Sequence, residues 1–154
     1  MSDVRPAPGA RLRELLARPE ILVLPGTADP LMARIAVRAG FEAVYATGAG
    51  IANTLLGVPD VGLVTMTELV DHVRRITSAV DVPVVVDIDT GFGNAINARR
   101  TVQEIERAGA AGVQIEDQVF PKRCGHFAGK DVIPAAEMVA MFAWVPTTVA
   151  VGMK

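Results

Sequence analysis

Four acidic side chains close two short apolar runs, and their spacing is the first sign of chemistry. Asp87 and Asp89 end Pro83-Val84-Val85-Val86-Asp87-Ile88-Asp89, and Glu116 and Asp117 end Val113-Gln114-Ile115-Glu116-Asp117. A strand has a period of two, so it turns the Asp87 and Asp89 carboxylates to the same side. If the two strands are adjacent and parallel, these carboxylates crowd one rim and need a counter-ion. Mg²⁺ takes oxygen ligands and usually keeps several waters, which suits one direct carboxylate, Asp87, with the others holding water around it. One acidic residue at a strand end is commonly just a helix cap; a cluster of this size is more than capping.

The second reactive group is Lys122-Arg123-Cys124-Gly125-His126. Three potentially cationic neighbours favour the thiolate of Cys124, and Gly125 keeps the backbone open. The other reading is a basic surface loop with an incidental cysteine; position just after the carboxylate strand favours the reactive one. Thr47-Gly48-Ala49-Gly50 could offer backbone N–H groups to an anionic substrate. It is a poor dinucleotide fingerprint, because the third glycine and a ribose-binding acid are both missing. Gly91-Phe92-Gly93-Asn94 supplies a flexible turn after the acidic pair. His72, beside Asp71 and Arg74 in a helical stretch, reads as part of a solvated face without a role.

The elements that must position these groups alternate strictly. Residues 10–18 read as a short helix and 21–24 as a buried strand stopped by Pro25-Gly26. Asp29-Pro30 opens a helix with Leu31, Ile35 and Ala39 on one face and Gly40 as its stop. Residues 43–47 form the next strand. Residues 67–79 form a helix with Leu69, Val73 and Ile76 on one stripe, and 83–88 the third strand. A helix from Asn94 or Asn97 to Ala108 stops at Gly109, and the fourth strand is 113–115. Arg38-Ala39-Gly40-Phe41-Glu42-Ala43-Val44-Tyr45 echoes Arg107-Ala108-Gly109-Ala110-Ala111-Gly112-Val113-Gln114, so one joint is used twice. Strands that are apolar on both faces imply a parallel sheet covered by helices, with function at the strands' C-terminal edge. Four βα units leave both a barrel and a doubly wound sheet open.

Composition sets the class of partner. A hydrophobic content of 51% with 21% charged residues reads as one globular domain. The formal charge of −2 gives no reason to expect nucleic acid or a membrane surface, leaving a small molecule as the ligand. No apolar run approaches a membrane span, and no signal-type segment follows the N-terminal arginines. A lone cysteine gives no sign of an oxidising compartment, so the cytoplasm is expected.

Together, Tyr45-Ala46-Thr47-Gly48, Val58-Pro59-Asp60, Asp87-Ile88-Asp89-Thr90-Gly91-Phe92-Gly93-Asn94 and Glu116-Asp117-Gln118 through Lys122-Arg123-Cys124-Gly125-His126 resemble the isocitrate lyase and phosphoenolpyruvate mutase superfamily. The resemblance covers roughly residues 10–140, and the Lys-Arg-Cys-Gly-His run is most similar to 2-methylisocitrate and dimethylmalate lyases. It implies a TIM-type β/α barrel, of which this chain holds the N-terminal half, about four parallel βα units. It also implies Mg²⁺ or Mn²⁺ on Asp87, with Asp60, Asp89 and Glu116 holding metal-bound water. Thr47, Gly48 and Ala49 match the substrate-carboxylate loop, where Thr47 and Ala49 replace a common serine and glycine. Lys122, Arg123, Gly125 and His126 join them in binding substrate, Cys124 is the catalytic acid in a gated loop, and Tyr45 is an active-site tyrosine.

The implied reaction is a retro-aldol cleavage of a 2-methylisocitrate-like 2-hydroxy carboxylate to pyruvate or glyoxylate plus a dicarboxylate. The alternatives are a phosphonomutase, or an inactive truncated barrel that only binds or assembles. The family is typically tetrameric, so a homo-oligomer is expected. Residues 1–140 then form a partial barrel. Residues 141–154, with Trp144, Pro146 and a strand-like 147–151, form an apolar tail foreign to it. Such a half-barrel would leave apolar edges at its first and fourth strands.

Overall fold

The computed structural model describes residues 7–143 and 149–153. Asp3, Arg5 and Pro6 of the leader, and Trp144, Pro146, Thr147 and Thr148 of the tail, lie outside the described residues. The order is α1 (Pro8–Leu16), β1 (Gly26–Thr27), α2 (Pro30–Arg38), β2 (Val44–Ala46), α3 (Gly48–Ile51) running into a π turn (Ala52–Leu56), α4 (Met66–Ala79), β3 (Val84–Asp87), α5 (Ala95–Arg107), β4 (Gly112–Glu116), α6 (Ala135–Phe142) and β5 (Val149–Met153). All strand pairs are parallel, and the sheet order β1-β2-β3-β4-β5 follows the chain. A doubly wound sheet reverses its order at a switch point; this one does not, and its helices neighbour one another in sequence, α2 on α4, α4 on α5 and α5 on α6. That is the progression of a barrel wall.

Period-two alternation separates the two faces of the sheet. Val44, Val84, Val86, Val113 and Ile115 face the helices and pack with Leu69, Val73 and Ile76 of α4 and Val102 and Ile105 of α5. Tyr45 and Val85 face the other way, where they join Leu12 of α1, Leu22, Leu24 and Ala111. Both faces are therefore apolar at mid-strand, which is why the runs lack polar alternation. Asp87 and Glu116 fall on the Tyr45 side, at the C-terminal ends of β3 and β4.

The repeated joint is a Schellman motif in both places. At the first, Gly40 N–H donates to Val37 O at 3.0 Å and Phe41 N–H to Ala36 O at 3.3 Å; at the second, Gly109 N–H donates to Glu106 O at 2.8 Å and Ala110 N–H to Ile105 O at 3.3 Å. Gly40 (φ +97°) and Gly109 (φ +93°) take the left-handed conformation this requires. Helix starts are equally explicit: Thr65 with Glu68 and Asn94 with Asn97 form capping boxes on α4 and α5.

Several expectations are corrected. Residues 21–24 are not a strand: Ile21 is 90% exposed, and β1 begins only at Gly26, where Pro25 O and Thr27 O meet β2. Among the described residues β1 has no neighbour on its other side, so nothing extends it. In α2 the small Ala33 and Ala36 are buried, while Leu31 and Ile35 are 67% and 58% exposed, the reverse of the expected face. His72 is buried, and its Nε2 lies 2.6 Å from Ala28 O, tying α4 to the β1–α2 turn. The fourth strand is not an edge, because β5 pairs with it from Gly112↔Val149 to Glu116↔Met153.

The two Schellman glycines give a controlled test. A Cβ at Gly40 meets nothing, whereas one at Gly109 lies 3.1 Å from Thr77 Oγ1. Gly40→Ala is expected to cost about 1–2 kcal/mol from the backbone alone, and Gly109→Ala measurably more, read from urea unfolding midpoints.

Candidate active site

The strand ends, two connections and one long loop converge on a single rim. Asp87, at the end of β3, is buried; its Oδ1 accepts from Asp89 N–H at 3.1 Å and its Oδ2 from Gly48 N–H at 3.2 Å. Gly48 follows Thr47, whose Oγ1 accepts from Gly50 N–H at 3.5 Å and caps α3. A Cβ at Gly48 would lie 2.9 Å from Asp87 Oδ2 and 3.3 Å from Asp89 Oδ1, so only glycine lets the loop approach both carboxylates. The Gly48 N–H expected to face a substrate is here turned to Asp87. Ala49 continues the same turn.

Asp87 and Asp89 do face one site, but not through strand pleating alone. β3 ends at Asp87, and Asp89 (φ +50°), Gly91 (+82°), Phe92 (+62°) and Gly93 (+146°) take positive φ on either side of Thr90, a largely left-handed run. Non-glycine residues in that region are strained, and such strain gathers at functional sites. Glu116 N–H donates to Asp89 O at 2.8 Å and Thr101 Oγ1 to Gly91 O at 3.0 Å, holding the run in place.

Burial, and after it the crowding of like charges, sets the electrostatics. Burial and the Asp87 charge push Asp89 up to about 6, even though Lys122 pulls it down. Glu116 is raised for the same two leading reasons. Burial, Asp87, Glu116 and Asp89 raise Tyr45, whose hydroxyl hydrogen-bonds Asp87, so it stays protonated.

Lys122 lies deepest. It is 2% exposed, and its ammonium sits 2.5 Å from Asp60 Oδ1 and 2.6 Å from Asp89 Oδ1. Burial disfavours its charge, but Asp89 and Asp60 outweigh this and raise its pKa. Of the cations expected around Cys124, only His126 reaches it, with Nδ1 3.5 Å from Sγ. Arg123 turns its Nη1 toward Ala128 O at 3.4 Å, and Gly125 O accepts from Lys130. Cys124 is half-buried, and its N–H donates to Asp60 O at 3.0 Å.

Sequence reasoning assigned no role to Gln118. Its Nε2 donates to Glu116 Oε2 at 2.6 Å and to Arg123 O at 2.9 Å, and its Oε1 accepts from Arg123 N–H at 3.0 Å. It thereby joins the carboxylate rim to the cysteine loop, which a Gln118↔Val132 bridge closes at its base. The signal was the two-residue spacing from Glu116, which keeps a residue on the same side while the chain stays extended.

Four carboxylates, Asp60, Asp87, Asp89 and Glu116, gather at the rim with one buried ammonium, which pairs with Asp60 and Asp89. This excess of hard oxygen donors fits a divalent cation. Among the described residues no three acidic, histidine or cysteine groups converge as direct ligands of one ion. An ion here would therefore be held by few direct carboxylates and by water.

The sign of the pH dependence follows from Asp89. Its folded value, about 6, lies above the unfolded value near 3.8, so the folded state holds the extra proton between them. Stability then falls as pH rises through that window. Relative to Asp89→Asn, the wild-type chain should lose on the order of 2–3 kcal/mol between pH 4 and 7, measured by chemical unfolding without divalent cations.

The phosphoenolpyruvate phosphomutase family model matches residues 12–151, through β5 and past Ala140. The chain is 52% identical over 130 residues to a 2,3-dimethylmalate lyase of Eubacterium barkeri, covering 84% of this chain and 45% of the relative. It is 54% identical over 132 residues to a 2-methylisocitrate lyase of Aeropyrum pernix, covering 86% of this chain and 42% of the relative. The structure superposes on oxaloacetate acetylhydrolase in complex with 3,3-difluorooxalacetate with a TM-score of 0.90 at 34% identity, over 95% of this chain and 53% of that one. It superposes on a phosphonopyruvate hydrolase complex with oxalate and Mg²⁺ with a TM-score of 0.84 at 28% identity, over 96% and 52%. The chain thus spans about half the length of the proteins it matches. With the family model matching most of the chain and relatives more than half identical to it, the chain belongs to the phosphoenolpyruvate mutase and isocitrate lyase superfamily of lyases and mutases.

Proposed function

We propose that this chain carries the metal-binding and proton-donating half of a Mg²⁺-dependent carbon–carbon lyase acting on a 2-methylisocitrate-like 2-hydroxy carboxylate, with Mn²⁺ as a substitute ion. The observation that carries the reading is the docking of the Cys124 loop on the rim formed by Asp87, Asp89 and Glu116, through Asp60. The names of relatives more than half identical, both lyases, support it. The magnesium and oxalate in the phosphonopyruvate hydrolase complex support the choice of ion and of a small carboxylate.

When bound, the cation would stabilise negative charge developing on the substrate oxygens. Asp87 would be the direct ligand, and Asp60, Asp89 and Glu116 would hold water around the ion. Thr47, Gly48 and Ala49 shape the carboxylate end of the pocket, with Arg123, Gly125 and His126 closing from the loop. Tyr45 donates a hydrogen bond and, being held protonated, does not act as a base. The substrate's carbon–carbon bond breaks, its hydroxyl-bearing carbon becomes a carbonyl, and the electron pair stays on the departing fragment. Cys124 protonates the carbanion carbon of the departing fragment, and the proton lost by the hydroxyl passes to the water around the carboxylate rim, so one proton is given and one released.

The expected outcome is Mg²⁺-dependent release of pyruvate or glyoxylate from 2-methylisocitrate, 2,3-dimethylmalate or isocitrate when the chain is combined with the remaining half of a barrel. Cys124→Ser should lower kcat by roughly 10²–10⁴ while leaving Mn²⁺ binding intact. A folded, complemented barrel with no turnover on these substrates rejects the lyase reading. Turnover of phosphonopyruvate instead would favour the phosphonomutase alternative, which the family model's name supports.

No helix among the described residues is long and apolar enough to cross a membrane, and we take the chain to act in the cytoplasm. The β1 edge, without a partner among the described residues, and the exposed Ile21, Leu31 and Ile35 favour assembly with further copies. Light scattering should find oligomers at micromolar concentration; a compact monomer would count against assembly.

A further inference from the structure

The loop that carries Cys124 is mostly exposed: Phe120, Phe127, Gly125 and His126 all face solvent, with Phe120 63% and Phe127 48% accessible. One side chain in it is fully buried. Lys122, two residues before the cysteine, is among the largest fully buried side chains described. Lysine is almost never buried unless paired, and here its partners come from outside the loop, Asp60 between the π turn and α4 and Asp89 beyond β3. The same Asp60 receives the Cys124 N–H at its carbonyl. Nearby, a Cβ at Gly62 (φ +75°) would lie 3.3 Å from Phe120 and 3.8 Å from Lys122 Cγ, so the Asp60 connection and the cysteine loop are in direct packing contact.

We propose that Lys122 is a positioning residue, a charged tether that fastens the Cys124 loop to the rim through Asp60 and Asp89, and not a ligand of the substrate. Without its ammonium, two carboxylates would face each other across the joint, and the loop would keep only its backbone hydrogen bonds and the Gln118 contacts at its base. Cys124 would then lose its fixed distance to the rim. This deepens the lyase reading, on which it rests only for its consequence in catalysis; docking itself can be measured without turnover, so either can fail alone.

Cys124 is the only cysteine in the chain, so its reaction with a disulfide reagent such as DTNB reports the loop directly. Removing a positive charge near a thiol slows such a reaction by disfavouring thiolate; a faster reaction therefore reports access. In the full chain, Lys122→Met should raise the rate about tenfold or more, with hydrogen exchange rising across residues 119–131 and far-UV circular dichroism unchanged. Lys122→Arg, which keeps the charge, should stay within about twofold of wild type. If Lys122→Met does not fold, Asp60→Asn, which removes one arm of the tether, is read in the same way. A rate and exchange pattern equal to wild type in the charge-removing variant, or loosening by Lys122→Arg as large as by Lys122→Met, would overturn the proposal.

Discussion

Four carboxylates gathered at one rim repel one another, and everything around them is arranged to hold them there. An unpaired charge inside a protein costs several kcal/mol, and breaking a buried pair by removing one partner costs about 3–5 kcal/mol. The Lys122 ammonium between Asp60 and Asp89 is the internal answer to that repulsion. It is only one positive charge against four negative ones, so burial, with the Asp87 charge beside it, keeps Asp89 raised and Tyr45 protonated. A rim left in this state of excess negative charge is poised for a divalent cation.

The surrounding fold supplies the rigidity this requires. β3 and β4 are central strands with partners on both sides, β2 and β4 flanking one and β3 and β5 the other. Their ends present Asp87 and Glu116 from a fully hydrogen-bonded ladder, on the face that also carries Tyr45. The left-handed run from Asp89 to Gly93 would be costly alone, and it is pinned by Glu116 N–H, by Thr101 and by the close seat of Gly91 on Ala98. Local strain is thereby paid for by packing on α5.

Much of this was legible in the sequence because it depends on local signals. The Schellman glycines, the Asn94 cap and the Leu69, Val73, Ile76 stripe are set by neighbours a few residues away, and all lie where the pattern put them. The readings that failed depend on distant partners. Residues 21–24 have strand composition but no strand beside them, Leu31 and Ile35 form an apolar stripe that nothing described covers, and His72 looks solvated until Ala28 O is brought to it from 44 residues away. The site followed the same division. The positions of Asp87 and Glu116 at strand ends could be read directly, whereas the pairing of Lys122 with Asp60 and Asp89 is a product of loop packing, and the list of cationic neighbours of Cys124 in sequence gave no hint that two of the three turn away.

The two ends of the sheet are unequal, and this bears on what the chain can do by itself. On the β5 side the ladder continues past β4, so the groups on Glu116 and Gln118 are held by pairing within the chain. On the β1 side the ladder stops after two residues, and the apolar Ile21, Val23, Leu31 and Ile35 lie open beside it. The acidic rim and the cysteine loop belong to β3, β4 and their connections, one strand or more away from the open edge. Charge geometry at the rim is therefore fixed by contacts internal to the chain. A partner packing on the β1 edge would therefore reach the rim carboxylates only through β2 and Tyr45.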